Sequence, residues 1–181
     1  KDKTNFLFVG WLEKEKGIIE LLNALKFLKE KKYKFECNFL GNGTLMGFSN
    51  HFIKENGLDE NVFLRGWIEP SRIRKFYKSS DIFVLPSWSE GMPNSLIEAI
   101  SCGLASIVTD VGMISNYLKN YESALILPTQ NIDNLKKSME KLILDNDLLQ
   151  KLSKNGHLIS KQYFSTELGL KNMAKSIKML N

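Results

Sequence analysis

Two glutamates, Glu90 and Glu98, frame the start of a predicted helix within the segment from Pro86 to Ala99. The first precedes the helix in a loop, and the second lies in the first turns of the helix. Free backbone amides at a helix start attract phosphate, and carboxylates accept paired hydrogen bonds from vicinal hydroxyls. The segment therefore indicates a diphosphate site in which one glutamate holds a ribose and the other a sugar ring. The free amides would be those of Asn94, Ser95 and Leu96.

A lysine in an earlier loop, Lys16, precedes Gly17 at the start of the helix that follows the first predicted strand. In that position its ammonium group would approach the same phosphate. The residues leave a second interpretation open, in which Lys14 and Lys16 are solvated surface charges. The same holds for the glutamates, because Glu90 is equally typical of a loop charge and Glu98 of an early-helix residue favoured by the helix dipole.

Short apolar runs alternate with helical patterns along the chain, and this alternation predicts the frame that positions the loops. The predicted strands are Asn5 to Gly10, Phe35 to Leu40, Val62 to Leu64, Asp81 to Leu85, Ala105 to Thr109 and Ala124 to Leu127. Helices are predicted over Ile18 to Leu28, Leu45 to Ile53, Pro70 to Lys78, Pro93 to Cys102 and Ser115 to Leu118, and from near Ile132, Asp147 and Ser165. Parallel strands require crossovers, and nearly unbroken apolar strands are typical of a sheet covered on both faces.

The fold class that follows is α/β: a doubly wound, Rossmann-like, mostly parallel six-stranded sheet with helices on both faces. With 181 residues the chain is long enough for one buried core, so residues 1–181 are predicted to form a single domain. If the strand order is 3-2-1-4-5-6, the ligand crevice opens at the carboxyl ends of the first and fourth strands. This order selects the loops Trp11 to Gly17 and Ser87 to Ser95 as its walls.

Charge and composition argue against several classes of function. The net charge of +5 comes with lysines scattered along helix faces, so no nucleic-acid partner is predicted. The apolar runs are too short for a membrane helix, and the first residues do not resemble a signal peptide. Cys37 and Cys102 have no paired spacing, which favours a cytoplasmic location. Because the chain begins at Lys1 and enters a strand almost at once, we expect a piece of a longer protein.

Three other patterns carry weaker signals. The glycines from Gly41 to Gly47 resemble a dinucleotide fingerprint, but they follow the second strand with the wrong spacing, and a tight turn is the better interpretation. The run Asp145 to Asp147 contains the carboxylate pair of metal-dependent transferases, yet it stands between two helices, where helix capping is favoured and no metal is expected. His51 and His157 fall in helical stretches and are interpreted as surface or helix-end residues.

Taken together, the motifs resemble the C-terminal domain of the family 4 glycosyltransferases, which have the two-domain GT-B fold. The matching segments are Val9 to Gly17, Leu40 to Gly43, Leu64 to Trp67, Ser80 to Ser87, Glu90 to Ala99 and Thr109 to Gly112, in the family's order and spacing. The resemblance covers essentially the whole chain, and the glutamate pair is its most specific motif. It implies that an acceptor-binding N-terminal domain is absent from this chain. We expect residues 165–181 to form a helix that packs toward that domain.

The resemblance also implies roles for individual residues. Glu98 would hold the ribose hydroxyls, Glu90 would contact the donor sugar near the reacting centre, and Lys16 would neutralise the leaving diphosphate. Glu90 and Lys16 are therefore the catalytic candidates. The base would face the turn formed by Gly66, Trp67 and Ile68. The other implied donor-binding positions are Gly10, Trp11, Gly91, Met92, Asn94, Ser95 and Leu96.

Two positions depart from the family pattern. Trp11 stands where the family usually has arginine, which reduces the phosphate clamp to Lys16. Pro93 stands where glycine is frequent and removes one amide donor, although proline suits the first position of a helix. Trp11, Trp67 and Trp88 all lie at strand ends or in loops, where packing at the edge of the core and stacking on a base or sugar are both open.

By resemblance, the parent protein is a hexosyltransferase that uses a nucleoside diphosphate sugar, a UDP-sugar by default, with retention and without a metal or other cofactor. The acceptor would be a glycan or a lipid-linked glycan in the assembly of cell-surface polysaccharide or glycolipid. We expect a cytoplasmic protein whose full-length form associates peripherally with the cytoplasmic face of the membrane. This fragment alone would bind donor and turn over little. Two alternatives stay open: a non-catalytic module that binds a nucleotide sugar, and a relative of the nucleotide-sugar epimerases.

Overall fold

The computed structural model describes residues 3–164, which build a six-stranded sheet. Its strands are β1 (Thr4–Val9), β2 (Phe35–Leu40), β3 (Val62–Leu64), β4 (Ile82–Leu85), β5 (Ala105–Thr109) and β6 (Leu125–Leu127). They stand in the order β3-β2-β1-β4-β5-β6, and every neighbouring pair runs parallel. The predicted doubly wound fold and its strand order are therefore confirmed.

Helices connect the strands and flank the sheet. In the described part of the chain they are α1 (Ile18–Glu30), α2 (Met46–Glu55), α3 (Pro70–Ser79), α4 (Asn94–Ser101), α5 (Ile114–Tyr117), α6 (Ile132–Leu144) and α7 (Asn146–Tyr163). Both β4 and β5 are buried along their whole length because α1 with α6 and α4 with α7 pack as pairs about the sheet. The predicted boundaries differ from these by at most two residues. The helix predicted from near Ser165 lies outside the described residues.

Packing in the core fixes the register of the central strands. Phe6 of β1 stands in register with Cys37 of β2 and with Ile82 of β4, and all three side chains are fully buried. The Phe6 ring also makes an edge contact with Phe35, with 6.2 Å between ring centroids. Because a close-packed interior resists sliding, β1 and β4 end at fixed positions relative to each other. The loops that follow them are held at the same edge of the sheet.

Side chains cap the starts of three helices. Glu69 accepts a hydrogen bond from the first turn of α3, and Asn131 does the same for α6. At α7, the Asp145 carboxylate accepts the backbone amide of Leu148 at 2.9 Å. This contact agrees with the capping interpretation of the run Asp145 to Asp147. Within residues 3–164, no group of three or more His, Cys, Asp or Glu side chains is placed to hold a metal ion.

Candidate functional site

The loops after β1 and β4 meet at the carboxyl edge of the sheet, where the strand order predicted the crevice. Gly17 has a left-handed φ of +71°, and a Cβ atom there would lie 2.2 Å from the carbonyl oxygen of Pro86. Glycine allows both the conformation and the close approach. The backbone amide of Trp88 also donates to the carbonyl of Glu15 at 2.7 Å. The two loops therefore form one packed unit.

The two catalytic candidates are in direct contact within this unit. Lys16 Nζ lies 2.7 Å from Glu90 Oε1, and the two side chains are only 27% and 11% exposed. The same carboxylate oxygen accepts a hydrogen bond from Ser87 Oγ at 2.8 Å. Ser87 is fully buried, and its carbonyl accepts the hydroxyl of Thr109. The sequence predicted Lys16 at the phosphate and Glu90 at the sugar beside it, but it did not predict their ion pair or the hydrogen bond from Ser87 to Glu90.

Trp88 braces the two loops instead of lining an open cleft. Its indole Nε1 donates to Glu20 Oε1 of α1 at 2.9 Å, and Lys14 Nζ lies 5.4 Å from the centroid of its ring. Glu20 is buried in spite of its charge, so this hydrogen bond compensates part of its desolvation. Of the two interpretations for Trp88, packing is the one that the structure supports. Lys14 is an exposed residue whose ammonium group lies over this aromatic face, which agrees with its interpretation as a surface charge.

A third loop, after β5, supports the backbone that carries Glu90. Gly112 has a φ of +58°, and a Cβ atom there would lie 2.2 Å from the carbonyl oxygens of both Glu90 and Gly91. The amide of Met113 donates to the Gly91 carbonyl at 2.9 Å. The matched segment Thr109 to Gly112 therefore has a physical role at the site, which the sequence did not indicate.

A cleft of about 440 Å³ opens beside this unit, above the ends of β1 and β2. The predicted position between β1 and β4 is therefore wrong in part: the two selected loops pack against each other, and of their residues only Trp11 lines the cleft. Five of its lining residues were predicted: Gly10, Trp11, Trp67, Ile68 and Glu98. Six others were not, namely Val9, Leu40, Gly41, Asn42, Pro70 and Ile73. The walls are mainly apolar or backbone, and Glu98 is the charged residue among them. Trp11 and Trp67 are 65% and 68% exposed, so both indoles present free faces near the cleft.

The floor of the cleft is a pair of glycine turns. The amide of Gly41 donates to the carbonyl of Gly66 at 2.8 Å, and the amide of Leu12 donates to the carbonyl of Asn42 at 2.8 Å. A Cβ atom at Gly43 would lie 2.5 Å from the carbonyl oxygen of Leu12. The structure thus agrees with the tight-turn interpretation of this glycine run. Gly66 does not itself line the cleft, but its hydrogen bond with Gly41 fixes the turn that carries Trp67.

Glu98 projects from the second turn of α4 to the cleft. Its Oε2 atom accepts a hydrogen bond from the hydroxyl of Tyr77 on α3 at 2.7 Å. Tyr77 is almost completely buried, and this burial, together with the adjacent carboxylate, raises the pKa of its hydroxyl far above the usual value. No sequence motif indicated a role for Tyr77. It lies four residues after Ile73 on the inward face of α3, so a hydroxyl there requires a buried partner.

The start of α4 lies between the Lys16–Glu90 pair and Glu98, and it differs from the prediction. Pro93 is the residue before the helix, with extended backbone, so the first helical residue is Asn94. The Pro93 carbonyl accepts the amide of Leu96 at 3.1 Å. The prediction of a free amide at Leu96 is therefore wrong. Those of Asn94 and Ser95 precede the first intrahelical hydrogen bonds and point toward the helix start, where a phosphate would lie.

The predicted site residues thus form two groups joined by one helix start. Lys16 and Glu90, with the backbone of Gly91 and Met92, form the first group at the meeting point of the loops. Glu98 and the cleft form the second group. A fully parallel sheet with this strand order and a cleft beside its switch point defines the doubly wound, Rossmann-like class of α/β domains.

Comparison with known proteins identifies the family within this class. The family model described as "Glycosyl transferases group 1" matches residues 1–158, and the chain belongs to this family. The chain is 32% identical over 127 residues to the putative teichuronic acid biosynthesis glycosyltransferase TuaC of Bacillus subtilis, a match that covers 70% of this chain and 30% of that protein. It is 30% identical over 153 residues to the UDP-Gal:alpha-D-GlcNAc-diphosphoundecaprenol alpha-1,3-galactosyltransferase of Escherichia coli, covering 83% of this chain and 39% of that protein.

The fold itself is shared with solved structures of this family. The C-terminal domain of a group 1 glycosyl transferase, LpcC from Francisella tularensis, superposes with a TM-score of 0.81 at 23% identity, over 90% of this chain and 87% of that domain. The chain spans less than half the length of the curated relatives named above. None of the helices within residues 3–164 has both the length and the apolar character that a bilayer span requires.

Proposed function

We propose that this chain is the donor-binding half of a retaining, metal-independent glycosyltransferase that uses a nucleoside diphosphate sugar. The observation that carries the proposal is that the chain places Glu90, paired with Lys16, before the start of α4 and Glu98 in its second turn, at the cleft. Family membership supports sugar transfer as the reaction class. UDP is the proposed nucleotide because the Escherichia coli relative is named as a user of UDP-galactose.

The cleft suits the nucleoside end of such a donor. Its volume of about 440 Å³ falls in the range of small-molecule sites, and its walls combine apolar surface with one carboxylate. Trp11 and Trp67 offer aromatic faces to a base, while the backbone at Ile68 and Gly41 offers polar groups to its edge. Glu98 then accepts the two ribose hydroxyls, since a carboxylate has the lone pairs for a paired contact.

The diphosphate falls between the two groups. The amides of Asn94 and Ser95 and the positive end of the α4 dipole face it, and Lys16 supplies a full positive charge. Lys16 is bonded to Glu90, so an arriving phosphate competes with that carboxylate for the ammonium group. When Lys16 bonds to the phosphate, Glu90 keeps its hydrogen bond from Ser87 and can accept hydroxyls of the donor sugar. As the bond to the sugar breaks, the same donors stabilise the negative charge on the leaving diphosphate.

Acceptor recognition is assigned to a second domain. Because the chain spans less than half the length of its relatives, the acceptor and the complete reaction belong to a longer protein in this proposal. Polysaccharide or glycolipid assembly is the proposed setting, and the names of the two relatives, one in teichuronic acid biosynthesis and one acting on a diphosphoundecaprenol acceptor, support it. The proposed location is the cytoplasmic face of the membrane. The chain alone binds donor and turns over little, because half of the closed site is missing.

Calorimetry tests the donor site directly. The chain is titrated with UDP, GDP and ADP, with and without Mg²⁺, beside Lys16→Ala and Glu98→Gln. We expect UDP to bind equally with and without metal, and each substitution to weaken it about tenfold or more, the value of a lost charge-assisted hydrogen bond. Lys54→Ala and Glu30→Gln are matched controls, since both side chains are exposed at the ends of helices on the opposite edge of the sheet.

The outcomes separate the parts of the proposal. If the control variants weaken UDP as much as the site variants do, general charge explains the binding and the site assignment fails. If binding requires Mg²⁺, the metal-independent mechanism is wrong. Retention is tested in the full-length protein, where NMR of the product should show the anomeric configuration of the donor sugar. An inverted product contradicts that part alone.

A further inference from the structure

Glu98 does not stand alone at the cleft, because a buried tyrosine holds it. The hydroxyl of Tyr77 donates to Glu98 Oε2 at 2.7 Å and lies 3.4 Å from the carbonyl oxygen of Ser95. Tyr77 is 2% exposed, whereas the carboxylate that it contacts belongs to an exposed residue. The hydrogen bond therefore connects the protein interior to a side chain that faces the proposed ligand.

The hydrogen bond has two consequences for the carboxylate. An exposed glutamate turns freely about its side-chain bonds, and ordering it on ligand binding costs conformational entropy. A donor at Oε2 fixes the orientation of the carboxylate beforehand, at the wall of the cleft that Glu98 lines. The bond involves an ionised acceptor, so it belongs to the stronger class of hydrogen bonds. Pre-organisation of this kind increases affinity without adding a contact to the ligand.

The position of Tyr77 in the fold makes the contact rigid. It lies on α3, the helix that also supplies Pro70 and Ile73 to the wall of the cleft. Burial and the Glu98 charge both raise the pKa of the Tyr77 hydroxyl, so it carries its proton at every physiological pH. It is consequently a permanent donor to Glu98. One helix thus shapes the wall of the cleft and orients its carboxylate.

The geometry points to Tyr77 as a positioning residue for ribose recognition: it orients Glu98 so that the domain distinguishes ribonucleotides from 2′-deoxyribonucleotides. This inference rests on the proposed donor site. Beyond that site, the inference assigns a role to Tyr77, which does not contact the ligand, and a specificity for ribose that follows from the orientation of the Glu98 carboxylate. Loss of the Tyr77 hydroxyl should affect only the ribose contact, because Tyr77 acts on the cleft through its hydrogen bond to Glu98.

The test compares UDP with 2′-deoxy-UDP by calorimetry. Wild type is expected to prefer UDP, and Tyr77→Phe, which keeps the buried ring, is expected to weaken UDP about three- to tenfold, the range for one lost hydrogen bond. Binding of 2′-deoxy-UDP should change much less, so the preference narrows. Tyr33→Phe is the matched control, because it removes a 2.8 Å hydrogen bond from another tyrosine hydroxyl to a glutamate, Glu140, outside the site. In the Glu98→Gln background, Tyr77→Phe should have little further effect.

The results separate the proposed role of Glu98 from the inferred role of Tyr77. If Glu98→Gln leaves the preference unchanged, the proposed role of Glu98 fails. If Glu98→Gln narrows the preference and Tyr77→Phe does not, or if Tyr77→Phe weakens both nucleotides equally, Tyr77 is only structural and the inference is overturned. A measurement on the wild-type chain needs no variant to fold. The ¹³Cζ resonance of Tyr77 should shift when UDP binds while that of Tyr33 stays in place, and an unmoved Tyr77 resonance contradicts the inference.

Discussion

Gly112 offers the sharpest test of how the site is built, because a single methyl group there pushes on the backbone of Glu90. Its φ of +58° is left-handed, and a Cβ atom would lie 2.2 Å from the carbonyl oxygens of Glu90 and Gly91. Ordinary contacts between carbon and oxygen begin at about 3.3 Å. The Gly112→Ala substitution therefore requires the Glu90 loop, or its own loop, to move by about 1 Å.

Gly57 provides a matched control. Its φ is +61°, and a Cβ atom there would have no atom within 4 Å. Gly57→Ala thus carries only the cost of a left-handed alanine, about 1–2 kcal/mol. Gly112→Ala carries the same cost plus that of overpacking, about 1–3 kcal/mol, so we expect a total loss of about 2–5 kcal/mol. The difference between the two variants isolates the steric part.

Urea unfolding measures the stability, and calorimetry with UDP measures the site. Gly112→Ala should lower the free energy of unfolding more than Gly57→Ala and should also weaken UDP about tenfold or more, since Glu90 and Lys16 move together. Gly57→Ala should bind UDP as wild type does. Equal losses of stability in the two variants, with unchanged UDP binding in both, would refute the close approach of the two loops.

Three further predictions concern neighbouring residues. Trp88→Phe removes the donor to buried Glu20, so we expect a loss of about 1–3 kcal/mol in urea unfolding together with weaker UDP binding; unchanged stability contradicts the bracing role. Folding raises the pKa of Tyr77 above its unfolded value of 10.0. The protonated Tyr77 hydroxyl therefore contributes fully to stability below pH 10, and this contribution is lost as the pH rises further. The free energy of unfolding should consequently fall less steeply at alkaline pH in Tyr77→Phe than in the wild type. Trp11→Arg should increase the affinity for UDP more than the affinity for uridine, and this difference should decrease in high salt. Trp67→Arg should not increase the affinity for UDP. Equal increases in the two variants would indicate only an effect of net charge.

The fold could be predicted because its signals are local. The apolar run from Phe35 to Leu40 matches β2 at both ends, and that from Ala105 to Thr109 matches β5. The strand order needed only the rule for crossovers between parallel strands. Boundaries shifted where one residue altered the local geometry, as at Pro93, whose extended backbone delays the start of α4. Such shifts do not move the site.

The details of the site could not be predicted in the same way, because they depend on contacts between distant segments. Lys16 and Glu90 are separated by 74 residues in sequence, and Trp88 and Glu20 by 68. No periodicity encodes such pairs. Some indirect signals were present: Glu20 lies on the buried face of α1 beside Leu21, where a carboxylate requires a donor. The close approach of Gly112 to the Glu90 loop had no sequence signal beyond the presence of the glycine.

In the proposed donor complex positive side chains are scarce, so the phosphate has to be held partly by backbone amides. The donor diphosphate carries about two negative charges, and Glu90 and Glu98 add two more at either end of the site. Against these stand one ammonium group, Lys16, and about half a positive charge at the start of α4. Trp11 lines the cleft at the position where the family resemblance implies an arginine, so that further cation is missing here. In the proposed function the bound donor therefore keeps an excess of negative charge, and such an excess would favour closure against a second domain that carries positive charge.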